Sequence, residues 1–266
     1  MPHHLSQWAL RNVEGIKYYE LLTSPNLLLV FFTRKGGVSQ NNYESLNLSF
    51  EVGDKSSAVE ENYKRAKHAL RIPTIITLKQ THSAIVLPIS YDRIPPDLLE
   101  GDAAFTIQLN TGLAVKVADC LPVFIYARDS RCIGIAHCGW QGTASRIAEK
   151  LARTMSRRFS IPLTDLRFAL GPCICPNCYT VGDDVKTRFT ENFPATDKFL
   201  TSVQSKTKRT KYRLDIRAAN RWLLKGMGLE EVPSLEMCTR ENKELFFSAR
   251  RNKPTGRNLA VIVLRR

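Results

Sequence analysis

Two histidines and a cysteine are the side chains best placed to do chemistry in this sequence. His82 stands in "KQTHSAIV", Cys120 closes "GLAVKVADC" and His137 closes "CIGIAH". Each lies where an apolar run gives way to a connection, the position from which functional groups are commonly displayed. Runs that are neighbours in sequence often pair, so the strands closing at Cys120 and His137 can bring both side chains to one sheet edge, with "PVFIYA" between or beside them. Two imidazoles and a thiolate meeting at one point make a transition-metal site with three protein ligands. A fourth position left for water or substrate separates catalytic zinc from closed structural zinc. Type-1 copper uses the same ligand types, so the ligands alone leave the metal open. Any one of these residues taken singly reads more simply as a packed side chain.

The stretch after His137, "CGWQGT", adds an independent feature. Gly139, Gly142 and Thr143 lead into a helical pattern, and the unpaired N–H groups of a helix start favour phosphate or carboxylate. The same glycines serve equally well to make a tight turn. Arg34, between the apolar run "NLLLVFFT" and Gly36-Gly37, is a second candidate anion ligand. Cys138 is expected to face away from His137, because neighbouring strand residues alternate sides. "GPCICPNCY" holds Cys175-x-x-Cys178, a fragment of a zinc knuckle, but no second pair follows and Cys238 is the only later cysteine. Buried, reduced thiols are therefore the expectation for Cys173, Cys175 and Cys178. His68 falls within a helical pattern and is expected at the solvent, while His3 and His4 belong to a terminus expected to be mobile.

Positioning these groups requires a strand-rich frame. "NLLLVFFT" suits a buried strand. Ser57 with Glu60 forms a capping-box signature, and Val59, Tyr63, Ala66 and Leu70 follow at helical spacing. Apolar runs over 74–79, 84–88, 102–107, 112–119, 122–127 and 132–137 read as strands separated by Pro, Asp and Gly signals. From Thr143 the period switches: Ile147, Leu151 and Met155 recur every four residues, predicting an amphipathic helix to about Phe159. "LRFALGP" reads as a strand, 183–193 as a short helix started by its aspartates and 215–225 as a further helix, with "ELFFSARR" and "LAVIVLRR" as closing strands. No repeat or low-complexity linker divides the chain. The expectation is one α+β domain over 26–266, with residues 1–25 as an N-terminal extension, either a short strand pair or a docked arm.

Composition sets outer limits. With 43% hydrophobic and 24% charged residues in 266, wholesale disorder is excluded. The longest apolar stretch, Leu27 to Phe32, is too short to span a bilayer, and the start lacks the basic-then-apolar order of a signal peptide, so a cytoplasmic protein with no membrane partner is expected. A net charge of +14 attracts anions without choosing among them. The densest basic run, "KTKRTKYR" at 206–213, has no adjacent aromatic ladder and reads as a solvated loop, so no specific nucleic acid is expected.

Taken together and in order, "TRKGGVS" with "SLNLS", then "KQTHS", "ADCLPV", "GIAHCGWQGT", "LGPCICP", "LDIRAAN", "CT" and "FFSARR" with "TGR" resemble the YfiH-like, or laccase-domain, family over roughly residues 27 to 266. That family has been described both as multicopper polyphenol oxidases and as zinc-dependent purine nucleoside phosphorylases with adenosine deaminase activity. The resemblance implies a layered α+β fold with two β-sheets between helices, one domain and a monomer. It implies metal ligands at His82, Cys120 and His137, the trio reached from the residues themselves. It also implies phosphorolysis of adenosine, inosine and methylthioadenosine, deamination of adenosine, and phosphate and nucleoside as partners. In that setting Asp119, next to Cys120, is a candidate proton carrier, with a cap or a cation partner as its alternative roles. Arg34, Gly139, Gly142, Thr143 and Arg250 become candidate anion and substrate contacts. A true multicopper oxidase needs many histidines, and this chain has five; zinc with an open position is the better expectation, with copper second.

Three departures stand out against the resemblance. Gln141 occupies a position where relatives usually carry Arg, Thr180 replaces a glutamate, and Asn252-Lys253 replaces Asp-Gly. Each bears more on phosphate handling than on deamination. Two other functions remain compatible with the sequence: a hydrolase editing peptidoglycan precursors, as described for some relatives, and a non-enzymatic anion-binding metalloprotein.

Overall fold

The structure, a computed structural model, describes residues 7–90, 99–203 and 210–265. His3, His4 and residues 206–209 of the basic run lie outside the described residues. In chain order the elements begin with β1 (Ala9–Val13), β2 (Ile16–Ser24), β3 (Leu27–Phe32), helix α1 (Ser56–Leu70), β4 (Thr74–Thr77) and β5 (Val86–Pro88). The centre holds β6 (Ala103–Thr106), β7 (Thr111–Val117), β8 (Leu121–Ala127), β9 (Ile133–Cys138), α2 (Trp140–Ala144), α3 (Ile147–Phe159) and β10 (Leu166–Leu170). The chain closes with β11 (Thr180–Val181), α4 (Asp183–Asn192), β12 (Leu200–Val203), β13 (Lys211–Leu214), α5 (Ile216–Gly226), β14 (Glu230–Glu231) and β15 (Asn258–Leu264).

Side-chain alternation along the strands creates the layers. One six-stranded sheet runs β1-β2-β3-β15-β7-β4 and the other β14-β10-β8-β9-β6-β5. Leu29, Phe31, Val115 and Ile262 of the first sheet meet Phe124, Tyr126, Ile133 and Ile135 of the second in an apolar layer between them. The alternate residues of β3 and β15, such as Val30 and Val261, pack with Ala66 and Leu70 of α1. Those of β8 and β9, such as Val123 and Ala136, pack with Leu151, Met155 and Leu223 of α3 and α5. The fold is thus α+β in four layers, helix, sheet, sheet, helix. Gly134 permits the close seating of α3, since a Cβ there would stand 2.6 Å from Met155 Sδ.

Several local expectations change. A small third sheet, β11-β13-β12, stands apart from the two large ones, and β13 takes up part of the basic run read as a loop. The helix expected from Thr143 is two helices: α2 starts at Trp140, and Arg146, at φ 57°, turns the chain before α3. Ser57 caps nothing, because α1 starts one residue earlier, at Ser56, with Lys55 before it. "ELFFSARR" is a run of turns. Phe247 instead exchanges backbone hydrogen bonds with the Asn258 side-chain amide, at 3.0 Å each way, so one buried side chain stands in for a strand partner. The N-terminal strands form a hairpin whose β2 pairs antiparallel with β3 and so extends the first sheet.

Candidate metal centre

His82, Cys120 and His137 offer ligand atoms that all lie within 4.8 Å of one another, and each side chain reaches that point by a different route. In β9, Ile133 and Ile135 face the layer between the sheets while Ala136 and Cys138 face the helices. Period-2 alternation therefore sends His137 to the inter-sheet side and buries Cys138 in the helix layer, as expected. Cys120 arrives differently from the expectation. The strand β7 that precedes it belongs to the first sheet and does not pair with β9; Cys120 sits where the chain crosses to β8, which pairs with β9 through Leu121 with Cys138 and Pro122 with His137. His82 also sits on a crossing, between β4 of the first sheet and β5 of the second.

Two of these crossings carry unusual backbone. His82 has φ 58° and Asp119 φ 101°, a region costly for residues other than glycine unless the surroundings enforce it. Asp102, fully buried at the start of β6, supplies that enforcement for His82. Its carboxylate accepts backbone N–H groups from Thr81 at 3.2 Å, His82 at 3.1 Å and Ser83 at 2.7 Å, and the Ser83 hydroxyl at 2.7 Å. The same carboxylate lies 2.8 Å from His137 Nδ1, and its backbone carbonyl accepts the His137 N–H at 2.7 Å. Burial pushes Asp102 up, but the hydrogen bonds from His137 and Ser83 outweigh it and hold the group down at about 2. An ionised carboxylate only accepts, so Nδ1 carries the proton and Nε2 is the nitrogen left for a ligand.

The remaining electrostatics favour a charged pair. Burial opposes ionisation of both Cys120 and His137, yet their mutual attraction overrides it. The His137 imidazole, with help from His82, holds the Cys120 thiol below its ordinary range, and the Cys120 thiolate with Asp102 raises His137. Gly139 makes room for the group: a Cβ there would stand 3.0 Å from Cys120 Sγ and 3.2 Å from His82 Cδ2. Two imidazoles and a readily ionised thiolate, held by a neighbouring carboxylate, suit a borderline-soft divalent ion.

The trio floors a cleft of about 640 Å³. Asp119, Gly139 and Arg250 line it, together with Lys253 of the Asn252-Lys253 pair and with Lys116, Trp140, Ile174, Tyr179 and Arg257, which sequence reasoning had not singled out for the site. Arg250, Lys253 and Arg257 form no ion pair among the described residues, whereas Lys116 is bound to Glu51 at 2.6 Å. The Arg250 guanidinium lies 4.7 Å over the Tyr179 ring and donates to the Thr180 carbonyl at 3.1 Å.

Four expected contacts are elsewhere or otherwise engaged. Arg34 lines a separate depression, where its Nε donates to the Glu44 carbonyl at 2.6 Å and its guanidinium covers Phe247 at 4.6 Å. Gly142 and Thr143 are buried behind the cleft; a Cβ on Gly142 would meet the His137 carbonyl at 3.2 Å, and the Thr143 hydroxyl accepts from Asn220 at 2.9 Å. The five-residue α2 is too short for the helix-start anion site expected at this turn. Asp119 has both carboxylate oxygens occupied, one by the Thr239 hydroxyl and the other by the Arg250 backbone N–H, each at 2.7 Å. These hydrogen bonds tie Asp119 to the segments that carry Thr239 and Arg250. Gln141 is exposed on α2 and outside the cleft lining.

Fold and cluster together define a four-layer α+β protein with a His₂Cys group at the junction of its two sheets. The family model described as multi-copper polyphenol oxidoreductase laccase matches residues 28–265, and the chain belongs to that family. It is 36% identical over 233 residues to the purine nucleoside phosphorylase YfiH of Escherichia coli, covering 87% of this chain and 91% of that protein. It is 31% identical over 244 residues to the purine nucleoside phosphorylase YlmD of Bacillus subtilis, covering 87% and 86%. Among solved structures it is similar to YlmD from Geobacillus stearothermophilus, with a TM-score of 0.86, 29% identity and coverage of 98% and 99%. The Bacillus licheniformis protein YfiH gives the same TM-score at 30% identity, with coverage of 96% and 98%. Among the described residues no helix is long and apolar enough to cross a membrane.

Proposed function

We propose that the protein is a zinc-dependent purine nucleoside phosphorylase that also deaminates adenosine, with His82, Cys120 and His137 as the metal ligands. One observation carries this reading: three metal-ligating side chains at the floor of a cleft whose walls hold Arg250, Lys253 and Arg257 with no ion-paired carboxylate among the described residues. Zinc, when bound, supplies Lewis-acid activation of an oxygen nucleophile or of a substrate oxygen. The five histidines of the chain are too few for a set of several coppers, which favours zinc over the copper of the family description.

The chain's own groups divide the remaining work. The three cations bind and orient phosphate for attack at the ribose C1', with departure of the purine base. The half-buried Trp140, which lines the cleft, gives a planar base something to stack against. Asp102 fixes the orientation and tautomer of His137, and Asp119 fixes the segments that carry Arg250 and Thr239. Deamination at C6 draws on the metal floor, a water and a proton carrier, for which Asp119 is the candidate, and not on phosphate, so it depends less on the cationic walls than phosphorolysis does. All seven cysteines are unpaired, which fits a reducing compartment such as the cytoplasm.

The test is product analysis on adenosine, inosine and methylthioadenosine, with and without phosphate, alongside metal content. Wild type is compared with His82→Ala, Cys120→Ala and His137→Ala. Loss of turnover together with the metal equivalent held at His82, Cys120 and His137 is the expected result in the variants. Retention of both in all three would overturn the reading, and collapse of the fold on chelation in a protein without turnover would make it a non-enzymatic metalloprotein.

A further inference from the structure

Sequence alone left Cys175 and Cys178 as a knuckle fragment without a partner. Folding supplies one: the ligand atoms of Cys175, Cys178, Cys238 and Glu241 all lie within 4.8 Å of one another. The two halves have the same spacing, Cys175-x-x-Cys178 and Cys238-x-x-Glu241, and each half is a tight turn. In the first, the Cys178 N–H donates to the Cys175 carbonyl at 3.0 Å; in the second, the Asn242 N–H and side-chain amide both donate to the Cys238 carbonyl, at 3.1 and 2.8 Å. A parallel bridge between Cys173 and Cys238 sets the turns side by side. The Cys175 N–H donates to Cys238 Sγ at 3.3 Å, which ties the two turns together.

We infer that Cys175, Cys178, Cys238 and Glu241 form a second, closed metal site that takes zinc as a structural ion. Three thiolates and a carboxylate fill a tetrahedral zinc shell, with Glu241 in the place a fourth Cys or a His takes in the commoner structural sites, and they leave no position for substrate. Zinc–sulfur bonds of about 2.3 Å place tetrahedral sulfurs about 3.8 Å apart, so a small contraction of the present cluster suffices. Because thiolates are the ligands, zinc binding here releases protons. The carboxylate already faces the sulfurs, with Glu241 Oε1 3.4 Å from Cys178 Sγ and 3.6 Å from Cys175 Sγ.

The site also has a task in the fold. Ile174, next to Cys175, donates its N–H to the Asp119 carbonyl at 3.0 Å, and Thr239, next to Cys238, donates its hydroxyl to the Asp119 carboxylate. Zinc binding would clasp together the two segments that grip Asp119 beneath the cleft.

Metal per chain, measured by elemental mass spectrometry on full-length protein purified under reducing conditions, tests this. Two zinc equivalents are expected in wild type. The double variant Cys175→Ser/Cys178→Ser loses one and keeps the other, whereas His82→Ala/His137→Ala shows the reverse. Glu241→Gln, at an exposed position, gives a folded control: about one equivalent is stripped from it by at least tenfold less chelator than from wild type. Wild type holding one equivalent, all of it lost in His82→Ala/His137→Ala and none in Cys175→Ser/Cys178→Ser, would overturn the second site while leaving the first intact. If the thiol double variant does not fold, protection of two or more cysteines from alkylation by added zinc in His82→Ala/His137→Ala supports the site, and equal labelling with and without zinc rejects it.

Discussion

The Asp102 carboxylate lies 2.8 Å from His137 Nδ1 and at the same time accepts the backbone N–H of His82 at 3.1 Å. One buried anion thus orients one proposed ligand through its side chain and another through its backbone. Loss of such an outer partner typically costs about 10–100-fold in metal affinity. Asp102→Asn is expected to weaken zinc binding by that factor in competition with a chromogenic chelator, and unchanged affinity would remove Asp102 from the site.

The same residue gives a pH signature. Its carboxyl sits at about 2 in the fold against an ordinary 3.8. A depressed acid contributes stability that is fully present above the ordinary value and is lost as pH falls through the folded one, here between about pH 4 and 2. The contribution is on the order of 2 kcal/mol. Denaturant melts across this window are expected to show wild type losing that much more stability than Asp102→Asn.

Cys120 and His137 make a second titration testable in metal-free protein. Because the imidazolium favours the thiolate, Cys120 is expected to ionise well below the ordinary thiol range, and His137→Ala to move it back upward. Ultraviolet thiolate absorbance against pH reads this directly, with Cys120→Ser identifying the signal. Coincident curves for wild type and His137→Ala would contradict the pairing.

Gly139 offers a steric test. Its φ of −71° suits any residue, so alanine brings no backbone strain, only a methyl group 3.0 Å from Cys120 Sγ and 3.2 Å from His82 Cδ2. Gly139→Ala is expected to keep its melting temperature in the metal-free state within a few degrees of wild type, while zinc affinity falls about tenfold as the ligands shift by a few tenths of an ångström. Equal affinity would show that the ligands have slack.

The cationic wall separates two activities. A charge-assisted hydrogen bond to phosphate is worth about 1.5–3 kcal/mol, so Arg257→Gln is expected to raise the KM for phosphate about 10–100-fold in phosphorolysis. Adenosine deamination should change less than threefold. Arg34→Gln, in its separate depression, should leave both within about twofold; a large loss there would mean that the substrate extends further than the cleft.

Much of this protein is written locally. The apolar runs from Leu27 to Cys138 determined their strands, because two-sided burial demands continuous Val, Ile, Leu and Phe, and the four-residue recurrence of Ile147, Leu151 and Met155 determined the body of α3. His82, Cys120 and His137 were legible as a set because each ends an apolar run and few other histidines compete with them. Tertiary structure decided how those runs were shared out. β7 and β8 are adjacent in sequence yet belong to different sheets, and the crossing between them, not a shared edge, delivers Cys120 to His137. It also decided what sits behind the ligands. Asp102 looks like an ordinary acid before a strand until His137 and the Thr81–Ser83 backbone converge on it, and Arg34 looks like an anion ligand until Glu44 and Phe247 occupy it. The Cys175–Cys178 pair shows the limit most plainly: its partners, Cys238 and Glu241, are remote in sequence, and only the pairing of Cys173 with Cys238 brings them together. Periodicity records which side of an element is buried; which distant groups meet there depends on long-range packing, which leaves no regular spacing in the sequence.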